Sequence, residues 1–318
     1  MIELVQMAAK RRSCPERNSL SSIRSRFGGL KTIKPSLKRT AALVGVAAVV
    51  PALMAPAAAS ASTNFYGSGS SAAQSYVQAL FTAYHKLHPS IVIHYNPDGG
   101  NAGVTDVVNG NASFAIQTAA PSATKKPTEW GKLFLDALCI DVNSKNAISN
   151  VSESAVQGIF QSNPLYNSWN QVPAASGKAS SLGSQTILAE GRNSAAGQYT
   201  FFVQEILKGG SENQSVTQES TDGEVKVQIQ THANAIGYVG LANSAGKNEK
   251  ALELGGVPCT AKYVANETYP LWRWDWVVLP ANPNPQLVAF FHWVTDNTAA
   301  AKIINQAGAV ARRHVLQL

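Results

Sequence analysis

Apolar and polar positions change period along the chain in regular blocks. TNFYG (63–67) reads as a short strand running into a Gly/Ser loop, GSGSS (67–71). In the stretch that follows, Tyr76, Val77, Leu80, Phe81, Tyr84 and Leu87 fall on one helical face by i, i+4, i+8 spacing. Pro89 ends that helix. SIVIHYN (90–96) is β-rich, DGGNAG (98–103) is a glycine-rich loop opening a short helix over 104–109, and ASFAIQTA (112–119) is the next strand. The order β-α-β-α-β predicts a parallel sheet covered by helices.

The second half continues the alternation. LFLDALCIDVN (133–143) reads as a buried strand. SESAVQGIF (152–160) reads as a helix with a capping box of Ser154 and Gln157. Small and polar residues make 173–184 a loop, and a strand over 186–191 leads through RNSAAGQ to a helix, YTFFVQEIL (199–207). A polar stretch (209–224) precedes VKVQIQ and NAIGYVGLA (234–242). A strand, WDWVVLPA (274–281), then leads to two C-terminal helices, QLVAFFHWVTD and AAAKIINQAGAVA. No repeat at a solenoid period is visible.

The first sixty or so residues follow a different grammar. Lys38-Arg39 precedes an apolar run, AALVGVAAVVPALM (41–54), and Ala59-Ser60-Ala61 offers a small-x-small cleavage site. That is the pattern of a secretory signal, with Sec-type cleavage expected near Ala61 and a periplasmic or secreted product; an uncleaved anchor is the competing reading. Pro51 interrupts the run, which falls short of the ~20 residues of a membrane span. Of 26 basic and 19 acidic residues, ten and two lie in residues 1–61, leaving 16 and 17 beyond. The positive charge therefore belongs to the leader, and a nucleic-acid partner is not expected. Cys139 and Cys259 remain after the leader, either as one disulfide or with Cys139 as a buried thiol in a strand.

Three loops share one design: GSGSS, DGGNAG and RNSAAGQ each follow a strand, are rich in small residues and open a helix. Helix N-termini carry unpaired N–H groups and partial positive charge, so three of them together could hold an anion, with Arg192 adding a charged fork. Each loop alone reads more readily as an ordinary cap; the three together, one with an arginine, are what point to an anion. Catalytic signatures are poor. The chain lacks G-x-S-x-G, H-E-x-x-H, C-x-x-C and a Walker loop, and its six histidines are scattered. Hydrolysis through Ser70 or Ser71 would need a histidine that the sequence does not place. The chain is therefore not expected to be an enzyme, and neither metal nor cofactor is expected. Asp136 and Asp141, five apart on a strand, face opposite sides. Trp272, Trp274 and Trp276 alternate on one strand face, as a stacking platform or as core and lobe-interface packing.

In this order the motifs resemble the periplasmic phosphate-binding proteins of the phosphate ABC importer, within the type II solute-binding superfamily. The resemblance covers about residues 63–311 and rests on GSGSS, GGNAGV, ASFAIQTAAPS, VSESAVQGIFQSNPLYNSWNQV, Arg192 with Gly197, NAIGYVG, YPLWR and KIINQAGAV. It implies an α/β fold of two lobes, each a mainly parallel sheet with flanking helices, joined by a two-strand hinge. Lobe I would comprise 62–141 plus 243–318, and lobe II 142–242. It also implies a ligand, phosphate or a related oxyanion, in the interlobe cleft, an ABC permease as partner, and a monomer. The family's hydroxyl of the first loop falls on Ser71, beside Ser70 and Ala72; its second-loop serine falls on Gly100, beside Asn101. Its proton-accepting aspartate falls on Thr118, its arginine on Arg192, and its Ser-Gly-Thr on Ala196, Gly197 and Gln198. The lost carboxylate and hydroxyls imply altered anion selectivity, or a non-transport binding or adhesion role on the same scaffold.

Overall fold

The computed structural model of the protein describes residues 62–120 and 128–318. The leader and its cleavage site near Ala61 lie outside the described residues. Strands β1 (Thr63–Gly69), β2 (Ile91–Asn96), β3 (Phe114–Gln117), β4 (Thr128–Asn143), β5 (Asn150–Val151) and β6 (Leu188–Arg192) occupy the first part of the chain. They are followed by β7 (Thr217–Glu219), β8 (Ala235–Gly240), β9 (Glu249–Ala251), β10 (Glu253–Leu254), β11 (Val257–Pro258) and β12 (Trp272–Pro280). Helices α1 (Gln74–Leu87), α2 (Gly100–Val108), α3 (Glu153–Phe160) and α4 (Gly197–Glu205) lie between them, then α5 (Asp222–Thr231), α6 (Ala261–Ala265), α7 (Pro285–Asp296) and α8 (Thr298–Gln306).

The main sheet runs β2-β1-β3-β12-β4-β8-β6-β7, with β9 also on β4. Pairing is parallel for β1 with β2 and β3, and for β6 with β7 and β8. Around β12 and β4 it is antiparallel. β4 belongs to both halves: it pairs with β12 from Thr128 to Ala137, then with β8 from Leu138 to Val142. Its residues from Leu133 to Asn143 are all buried, as a strand covered on both faces requires. One core gathers Tyr76, Leu80, Phe81, Phe114, Phe134, Phe290 and Phe291 around the first half. The other gathers Leu138, Phe160, Trp169, Phe202 and Tyr238, together with Leu252, Leu254, Tyr269 and Leu271. This is the α/β, two-lobed arrangement expected from the sequence.

Local departures have simple causes. α2 begins at Gly100, so the glycine loop already contains its first turn. α3 is capped by Ser152, whose side chain accepts from Ala155 N at 3.1 Å; Ser154 sits inside the helix and bonds Ser152 Oγ instead. VKVQIQ lies in α5, where Val225 and Ile229, four apart, are buried and Val227 is exposed. Leu87, on the predicted face of α1, is 60% exposed because it falls in the last turn, beyond the sheet. Cys139 and Cys259 form a disulfide with Cα atoms 5.6 Å apart, tying β4 to the segment before α6. Among the described residues no helix is long and apolar enough to cross a membrane.

Candidate functional site

The three glycine-rich loops meet. β1 passes through Ser70–Ala73 into α1, β2 through Asp98-Gly99 into α2, and β6 through residues 193–196 into α4. Gly99 N donates to Gly69 O at 2.8 Å, joining the first two loops. Asn101 joins the second to the third: its N donates to Ala195 O at 2.8 Å, and its Nδ2 donates to Ser194 O and Thr200 Oγ1, both at 2.9 Å. Gly99 has φ of +110°, and a Cβ there would lie 2.5 Å from Ala195 O, so this approach needs glycine.

Between the second and third loops sits Gln117, which sequence reasoning missed. It is buried, and its Oε1 accepts from Thr118 N at 2.8 Å and Ala119 N at 3.3 Å, while Nε2 donates to Asn101 Oδ1 at 2.8 Å. A Cβ on Gly100 would stand 2.1 Å from that Oε1, and one on Gly197 only 1.8 Å from it. The amide oxygen thus occupies the gap between the N-termini of α2 and α4. Helix partial charge favours an electron-rich oxygen there. Thr118 is buried beside it, and its Oγ1 makes no hydrogen bond.

Arg192 is a buried node, not an outward fork. Its Nη1 donates to Gln198 Oε1 and to Asp222 Oδ1, Nη2 to Ser220 O at 2.7 Å and Nε to Glu219 O at 3.2 Å. Asp222 Oδ2 accepts from Gln198 Nε2 at 2.9 Å, Gly240 N at 2.8 Å and Asn243 Nδ2 at 3.2 Å. Asp222 N donates to Ser71 Oγ at 3.3 Å, which brings the first loop onto the same node. Below it, Tyr238 Oη accepts from Arg192 N and donates to Glu212 Oε1, both at 2.9 Å. Burial pushes Glu212 up to about 7, against the lowering effect of its Tyr238 and Gln218 bonds.

A second arginine, also missed, lies nearby. Arg273 Nη2 donates to Asp136 Oδ2 at 2.9 Å, Asp136 Oδ1 accepts from Leu241 N at 3.1 Å, and Tyr76 Oη donates to Asp275 Oδ2 at 2.5 Å. Burial, with the Asp136 charge adding, pushes Asp275 well above the usual carboxylate range. Burial draws the Arg273 guanidinium down, but Asp136 and Asp275 more than offset this and raise it. Asp136 and Asp222 both close on Gly240, where a Cβ would lie 3.4 Å from an oxygen of each carboxylate.

The expected residues therefore fall into two groups. Ser71, Arg192 and Gln198 gather on Asp222; Gly100, Asn101, Thr118, Ala196 and Gly197 surround Gln117. Ser70 is buried between β3 and β2, its N donating to Ile116 O and its O accepting from Tyr95 Oη, both at 2.9 Å. Asp136 and Asp141 do face different partners, Arg273 and Ser244. One signal for Asp222 was available: Thr221 and Glu224 form a capping box, with reciprocal bonds of 3.2 and 2.8 Å, around the acid that opens α5.

The sequence model of the PBP superfamily domain matches residues 55–298. Among curated relatives, the phosphate-binding protein PstS of Pseudomonas aeruginosa is 26% identical over 280 residues, covering 81% of this chain and 86% of that protein. PstS of Bacillus subtilis is 25% identical over 214 residues, covering 65% and 67%. Among solved structures, an ABC-type phosphate transport receptor from Vibrio cholerae superposes with a TM-score of 0.62 at 19% identity, over 78% of this chain and all of that one. A phosphate binding protein from Stenotrophomonas maltophilia does so with a TM-score of 0.62 at 12% identity, over 79% and 91%. These two likenesses establish the fold.

Proposed function

The chain belongs to the PBP superfamily, and on that premise we propose that it is an exported solute-binding protein, not an enzyme. It captures phosphate or a related oxyanion between its lobes for an ABC importer; the names of its PstS relatives describe phosphate binding. The observation that carries this reading is the convergence of two helix N-termini on one point. Gly100 and Gly197 open toward the same buried oxygen, with the unbonded Thr118 Oγ1 beside it. An anion oxygen entering there replaces the Gln117 amide oxygen on the same donors.

We draw the lobes around β4. Lobe II takes the residues of the second core, including Leu252, Leu254, Tyr269 and Leu271. The return to lobe I therefore falls at the start of β12, not at residue 243. The leader directs export, and the permease is the expected partner.

Thr118 sets the selectivity. A carboxylate at that position would repel an anion with no proton to share; threonine carries no charge and donates a hydrogen bond. Phosphate and sulfate should bind with similar affinity. Titration calorimetry and thermal shift with each anion test the reading. The absence of both heat and shift with either anion would sink it, and a strong preference for phosphate would remove the role given to Thr118.

A further inference from the structure

β12 outruns β3. It pairs with β3 only at Trp276, Val277 and Val278, whereas β4 follows it along its whole length. Over Trp272–Asp275 the β3 side of the strand has no strand partner among the described residues. Past the end of β3 the gap opens into a cavity of about 200 Å³, bounded by Thr118 and Ala120 and, from α4, by Phe201, Gln204 and Glu205.

Two buried polar side chains line this cavity without full partners. Arg273 is 4% exposed; beyond its bond to Asp136, its Nε and Nη1 make no hydrogen bond, and Nε lies 4.0 Å from Asp275 Oδ1. Thr118 Oγ1 makes none either. Leaving such groups unsatisfied is costly, and more so when they are charged. The opposite wall is aromatic. The Arg273 guanidinium stacks over Phe201 at 5.3 Å, and Trp272, Trp274 and Trp276, each half-buried, complete the lining. Both faces of β12 reach the cavity because its edge is open there.

We infer that the ligand is an organic phosphate monoester: Arg273 and Thr118 hold its oxyanion, and the Phe201 and tryptophan wall holds its substituent. The inference rests on the oxyanion reading above and names the substrate class for it. The volume supports it, since one water's share of liquid is ~30 Å³ and a tetrahedral anion alone leaves most of the space unfilled. A planar, weakly hydrated guanidinium is the cation suited to a phosphate oxygen in a partly dry site. Glu205 at the rim disfavours a second negative charge on the substituent.

The test is calorimetric titration of the purified chain with inorganic phosphate and with phenyl phosphate, with tryptophan fluorescence followed in parallel. Phenyl phosphate should bind at least tenfold more tightly and shift the emission. Trp276→Leu should abolish that advantage. Thr118→Val, which keeps the Arg273–Asp136 pair, should weaken both by threefold or more. Phenyl phosphate binding no tighter than phosphate overturns the inference and leaves the oxyanion reading standing; binding of neither overturns both. A preference that survives both Trp276→Leu and Phe201→Leu, or affinities untouched by Thr118→Val, overturns the placement.

Discussion

Asp222 holds the Arg192 guanidinium inside the protein, with both side chains 1% exposed. The arginine that looks like an anion clamp in the sequence has its charge matched by an internal carboxylate, and its donors are engaged by Gln198 and two backbone carbonyls. Arg192→Ala should therefore act first on stability, at about 3–5 kcal/mol for a broken buried pair. Urea denaturation measures it. The Arg192→Ala/Asp222→Ala double variant should lose clearly less than the sum of the singles. A single-variant loss below about 1 kcal/mol, the scale of an exposed pair, would remove the structural role.

Gln117 competes with the ligand. Its Oε1 accepts from Thr118 N and Ala119 N and blocks the space facing Gly100 and Gly197. Gln117→Ala should raise the affinity for phosphate about tenfold, equivalent to about 1.4 kcal/mol, in a calorimetric titration. A fall in affinity would mean that the amide helps to hold the anion.

The disulfide closes a long loop, since Cys139 and Cys259 are 120 positions apart in the sequence. Cys139→Ala/Cys259→Ala should cost about 2–5 kcal/mol, seen as a lower thermal midpoint that reductant no longer affects. Equal midpoints for the two proteins under oxidising conditions would contradict this.

Three buried carboxyls give the stability a falling pH profile. Burial, with Glu249 next to it, raises Asp141 to about 8. Burial raises Glu190, with Glu219 adding, and Glu212, each to about 7. A carboxyl with a higher pKa folded than unfolded binds more protons in the native state. Stability therefore declines as pH rises from the unfolded value of about 4 to the folded one, by up to about 1.4 kcal/mol per pH unit per group. Between pH 7 and 8 Asp141 still contributes, together with Asp275, which burial also holds well above the usual carboxylate range. Asp141→Asn should make that interval less steep in denaturation measured across pH, and a flat wild-type profile from pH 5 to 8 would refute the account.

The architecture was legible because period and burial agree along most of the chain. Strands such as LFLDALCIDVN are mostly apolar because both faces are covered, and the Gly-rich loops fall where strands give way to helices. VKVQIQ hid its helix because apolar residues two apart mimic a strand while those four apart do the packing. The site was legible only in part. Gly100, Asn101, Thr118, Ala196 and Gly197 do come together, but they meet on Gln117, which reads as one more polar residue at a strand end. Arg192 was visible; its neutralisation was not, since Asp222 lies 30 positions on and reads as the acid of a helix cap. Arg273 was hidden between tryptophans, and the cavity it lines lies past the end of β3, which is shorter than β12, a difference that no local pattern encodes.

The shared strand β4 determines how the molecule can bend. Since β12 and β8 are both zipped to one continuous backbone, opening cannot proceed by pulling two sheets apart. A relative twist of the two halves would load torsion on that backbone where the neighbour changes, between Ala137 and Leu138. Cys139 lies just past that change of neighbour, so the disulfide anchors the β8 side of the strand.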